Sequence, residues 1–77
     1  MTEHDSRRIT GMLSSLCDTA TDLIRAASAA ERAAWLEDAR GLAEASERVA
    51  ALSGLYRERY ASLLAARGEA DHPRSGT

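Results

Sequence analysis

Five large apolar residues, Trp35, Leu42, Val49, Tyr56 and Leu63, recur every seven positions without a slip. A sustained seven-residue repeat is the pattern of a helix packed lengthwise on another helix with a left-handed twist. Ala39, Ala45, Leu52, Tyr60 and Ala66 supply the intervening positions. The repeat crosses Gly41 and Gly54 in phase. Each glycine costs about 1 kcal/mol relative to alanine inside a helix. The surrounding alanine, leucine, glutamate and arginine outweigh that cost, so the pattern predicts one continuous helix over about residues 29 to 67. Arg67 falls in its last turn, Gly68 is placed to cap it, and Pro73 follows.

An earlier amphipathic stretch runs from about residue 5 to 27. Ile9, Leu13, Leu16, Ala20, Leu23 and Ala27 recur at spacings of three and four, with Met12, Cys17 and Ile24 beside them. Ser14, Ser15, Asp18, Thr21, Asp22 and Arg25 lie opposite. Glu3, His4 and Asp5 bring acidic charge to the start of this helix, where its dipole favours it.

Between the two patterns lies Ser28-Ala29-Ala30-Glu31, a match to the capping box in which serine and glutamate satisfy the free N–H groups of a new helix. A reversal near residue 28 or 29 would bring Leu23 to Trp35, Leu16 to Leu42 and Ile9 to Val49, three pairs with one midpoint. The expected fold is therefore all-α: an antiparallel hairpin of helices over about 5–27 and 29–67, dimerising into a four-helix bundle. The rival is a three-helix bundle broken near Gly41. One domain over residues 1–67 is expected, with a disordered tail over 68–77, because 77 residues allow no more than one core. Below roughly 70–80 residues such a core stabilises by only ~3–5 kcal/mol without a disulfide, a metal or a partner. Cys17 is the single cysteine, so no internal disulfide can form.

Unequal arms have a consequence. At ~1.5 Å per residue the second arm would overhang the first by ~22 Å. The overhang would carry Leu52, Leu55, Tyr56, Tyr60, Leu63 and Leu64, and these six are the candidate partner interface. Tyr56 and Tyr60 are four apart and share a helix face, flanked by Arg57 and Arg59. Tyrosine and arginine are typical residues of interface hot spots. The partner is expected to be a second copy or another helical protein. Trp35 is expected to close the core beside the bend.

Other classes find less in the sequence. Net charge is −2 and the chain has no lysine, which disfavours nucleic acid and anionic membranes. Arg57 and Arg59 beside the tyrosines keep nucleic-acid contact as the alternative. In that case the paired hairpins would be similar in architecture to the Rop family of plasmid-encoded RNA-binding proteins, a likeness that no motif here carries. No nucleophile–base pair or phosphate-cradling loop points to an enzyme. Arg8, Arg48, Arg57 and Arg59 are the only groups that could hold an anionic substrate as small helical mutases do. His4 and His72 lack metal-ligand spacing, and no cofactor or metal is expected. The opening residues hold no apolar run of signal-peptide length, no segment approaches the ~20 residues of a membrane span, and a lone thiol suits a reducing compartment. The expected location is the cytoplasm, and the expected function is a small non-enzymatic interaction module.

Overall fold

The computed structural model of the chain describes residues 2–71. Two helices, α1 (Glu3–Trp35) and α2 (Ala39–Asp71), pack side by side as an antiparallel hairpin. Each has 33 residues, so neither overhangs the other. The hairpin is the expected fold, but its bend lies at residues 36–38, not at 28–29. The pairs Leu23–Trp35, Leu16–Leu42 and Ile9–Val49 consequently do not face one another. α2 extends past Gly68 to Asp71, and the rest of the expected tail, with His72 and Pro73, lies outside the described residues.

The bend is a shared cap. Leu36 ends α1, and Glu37 takes the left-handed conformation at φ 54°. The Glu37 N–H donates to the Ala34 carbonyl at 3.1 Å and the Asp38 N–H to the Ala33 carbonyl at 2.8 Å. These two bonds are those of a Schellman motif, which satisfies the last carbonyls of a helix. Asp38 then opens α2. Its Oδ1 accepts from the Gly41 N–H at 3.0 Å and its carbonyl from the Leu42 N–H at 2.9 Å. A Cβ at position 41 would lie 2.5 Å from the Asp38 carboxylate, so glycine there is what lets the cap close.

Ser28 and Glu31 are ordinary exposed residues inside α1. The alanines around them are the strongest helix formers, and the helix runs through. The cap of α1 is instead Thr2, whose Oγ1 accepts from the Asp5 N–H at 3.1 Å. Gly41 stands in the first turn of α2, so the chain does break close to it, but into two helices and not three.

The seam between the helices follows a strict three-four alternation. In α1 it runs through Ile9, Met12, Leu16, Thr19, Leu23 and Ala26, then Ala30 and Ala33. In α2 it runs through Leu42, Ala45, Val49, Leu52, Tyr56 and Arg59, then Leu63 and Ala66. The seven-residue repeat of the sequence is thus the α2 seam from Leu42 onward. Trp35 is not part of it: it ends α1, points outward and is 83% exposed. Near the bend the buried residues are Ala26, Ala33 and Ala45, small enough to draw the helices together. Toward the open end Leu16 and Leu63 are the buried large residues.

The cap makes a direct prediction. Asp38→Ala removes the bond to the Gly41 N–H and should cost about 1 kcal/mol, lowering Tm by ~4–8 °C for a domain of this size. Gly41→Ala displaces the same carboxylate but gains about 1 kcal/mol of helix propensity, so its Tm should stay close to that of the unaltered chain. Glu37→Gly relieves a side chain held at positive φ and should raise Tm by about as much as Asp38→Ala lowers it. Thermal unfolding followed by circular dichroism at one fixed protein concentration checks all three.

Candidate functional site

Each seam position has a neighbour on either side, and the two flanks of the hairpin differ in chemistry. The residues one place before the seam positions include Arg8, Asp18, Asp22, Arg25 and Arg32 in α1 and Glu44, Arg48 and Glu58 in α2. In an antiparallel pair these preceding positions meet on one side. The Arg8 guanidinium lies 3.7 Å from the Glu69 carboxylate and marks that side. This flank is charged.

The residues one place after the seam positions gather on the other side. In α1 they include Leu13, Cys17, Ala20, Ile24, Ala27 and Glu31. In α2 they include Ala43, Ser46, Ala50, Ser53, Arg57, Tyr60, Leu64 and Arg67. Ile24 is 65% exposed, and Leu13, Tyr60 and Leu64 are each about half exposed. Arg57 is the one charge on this flank from Leu13 to Ala27 in α1 and from Ala43 to Leu64 in α2, and Glu31 and Arg67 lie just beyond those stretches on the same flank. The hairpin therefore carries a second apolar series, with the same three-four alternation, that its own two helices do not cover. The broad stripe over residues 9–27 in the sequence is both series read together.

The six residues expected at a partner interface divide between these places. Leu63 is 7% exposed and lies in the hairpin's own seam. Leu52 and Tyr56 are half-buried in that seam, and half-buried Leu55 borders the charged flank. Tyr60 and Leu64 remain open on the apolar flank. The overhang on which the six were chosen does not exist, because α1 is longer than its periodicity suggested and covers α2 along its length. Tyr56 and Tyr60 do stack, with ring centroids 6.3 Å apart and planes 7° from parallel. The pair joins the buried seam to the open flank.

Arg57 and Arg59, two residues apart, have different surroundings. Arg57 is exposed on the apolar flank. Arg59 occupies a seam position and turns inward. Its guanidinium donates to the Ser15 carbonyl at 3.2 Å and to the Thr19 hydroxyl, which in turn donates to the Ser15 carbonyl at 3.0 Å. Thr19 is only 2% exposed. A single polar layer of this kind in an apolar seam holds two helices in register. Neither Thr19 nor the inward course of Arg59 is evident from residue type. The one signal is position: both fall in phase with Leu16 and Leu63.

Cys17 is free and exposed on the apolar flank. His4 is exposed near the start of α1. Among the described residues no three histidines, cysteines or carboxylates come together as a metal site would require. Among the described residues no helix is long and apolar enough to cross a membrane. The concave surfaces are open grooves, among them one at the bend lined by Ile24, Arg25, Arg32 and Leu36 and one on the charged flank between Arg8, Ser15, Glu58 and Arg59. No protein-family model matches this chain, and no curated protein or solved structure matches it.

The polar layer can be tested alone. Thr19→Val keeps the shape of the side chain and removes one acceptor from Arg59, and it should cost about 1 kcal/mol. Arg59→Leu removes the half-buried charge together with its need for partners and should leave stability unchanged or raised. Urea unfolding at one protein concentration reads both.

Proposed function

We propose that the protein is a non-enzymatic helical interaction module of the cytoplasm, an adaptor, regulator or chaperone-like subunit, that self-associates or docks on a helical partner. The carrying observation is the second apolar series: Leu13, Ile24, Tyr60 and Leu64 stand open along one flank of a hairpin whose other flank is charged. Full burial of a large apolar side chain is worth ~1.5–3 kcal/mol. Covering the open part of these four supplies several kcal/mol, as much as the whole core of a chain this short provides. A three-four alternation of exposed residues is matched by the same alternation on another helix, which makes a helical partner the best fit.

Residues 52, 55, 56 and 63, which the sequence alone offers for a contact with another chain, act in this reading as support. They hold α2 against α1 so that Tyr60 and Leu64 project on the side of Leu13 and Ile24.

A photo-crosslinking amino acid at position 24, compared with the same group at position 18 on the charged flank, tests the reading in cells producing the full chain. Adducts of defined mass are expected from position 24 and not from position 18. Equal yields from both positions, or none from position 24, would overturn it.

A further inference from the structure

The apolar flank carries a symmetry of its own. On α1 the large residues Leu13 and Ile24 bracket the smaller Cys17 and Ala20, and both pairs share a midpoint between residues 18 and 19. On α2, Leu64 and Ala50 share a midpoint at Arg57. The bonds from Arg59 to Ser15 and Thr19 place these two midpoints at the same height along the hairpin. One two-fold axis through that height would serve both helices.

We propose that the occupant of this flank is a second copy of the chain, laid face to face with its bend at the opposite end. The proposal rests on the interaction reading above and names its partner. In this arrangement α1 packs antiparallel on α1 of the second copy, setting Leu13 against Ile24 of that copy. α2 packs antiparallel on the second α2, and Leu64 enters the space left by Ala50. Large residues meet small ones, as a dense core requires. With both bends at one end, α1 would face α2 of the second copy and Leu13 would crowd its Tyr60 and Leu64, while mostly alanines and serines faced each other near the bend.

The area suffices. Helices of 33 residues are ~50 Å long, and the hairpin is 19 Å across its broader width. Each copy therefore covers on the order of 900 Å², at or above the ~800 Å² per partner of a standard stable interface. Arg57 comes close to its own copy near the axis, and its long side chain relieves the repulsion by reaching to the edge of the face.

Cys17 reports the arrangement. Antiparallel α1 helices on this axis put the two Cys17 residues about 4.5 Å apart along the helix direction. Helices ~8–10 Å apart at that offset suit the ~4.4–6.8 Å Cα separation of a disulfide. With both bends at one end the two α1 helices lie on the bundle diagonal, ~11–14 Å apart, and the thiols cannot meet. The test is light scattering on the purified full chain, then treatment with diamide and non-reducing electrophoresis. Cys17→Ser combined with Asp18→Cys, a thiol on the charged flank, serves as the control. A dimeric mass, a covalent dimer through Cys17 and none through position 18 are expected. A dimer that Cys17 does not cross-link overturns the opposed arrangement. A monomer at every concentration overturns the second copy as occupant. In that case adducts from position 24 of a mass other than twice the chain would leave the interaction reading standing, and their absence would remove both.

Discussion

The two helices share one residue, Asp38, and the rest of the structure depends on where it stands. As the final acceptor-satisfying N–H of α1 and the cap of α2, it stops one helix and starts the next within three residues. That economy makes the arms equal. Equal arms cover each other along one seam from end to end, so apolar surface remains open on a flank and not at a tip. Moving the bend by eight residues would change which residues face each other at every level and expose a different set.

Within that frame the seam does two jobs with different residues. Alanines near the bend bring the backbones close but bury little apolar area. Leu16 and Leu63 toward the open end bury more, and no large side chain is fully enclosed. Between them the Arg59–Thr19–Ser15 layer adds directional bonds where alanines would allow sliding. Register is set by hydrogen bonds, while cohesion comes from a thin apolar strip. A single core in a chain of this length rarely supplies more than ~3–5 kcal/mol.

The helical hairpin and the seven-residue seam of α2 were legible in the residues, as was the Tyr56–Tyr60 stack. The bend was not. Ser28–Glu31 and Asp38–Gly41 both resemble helix starts, and the first matches the familiar pattern more closely. The second prevails because it is preceded by a Schellman ending, and that ending uses glutamate, not glycine, at its left-handed position. A periodicity with no glycine to interrupt it cannot announce such a stop. Trp35 misled for a related reason. It falls by coincidence seven residues before Leu42, across a bend that resets the phase. At the candidate site, Tyr60 and Leu64 were legible as exposed apolar residues. Leu13 and Ile24 were hidden in a stripe too broad for one seam, which is the sequence trace of two seams lying side by side.

Two adjacent apolar seams on each helix are more than a hairpin can use. One seam per helix suffices to join α1 to α2, and a chain selected only to fold as a hairpin would gain solubility from charge in the second. The charged flank shows what such a surface looks like in this same protein, with acidic and basic residues of both helices mixed along it and Arg8 reaching Glu69. The contrast between flanks is therefore a property of the residues and not of the fold, since the backbone treats both sides alike. Apolar residues kept in three-four phase on one flank only are the pattern that a helix–helix contact requires and that an uncovered surface does not.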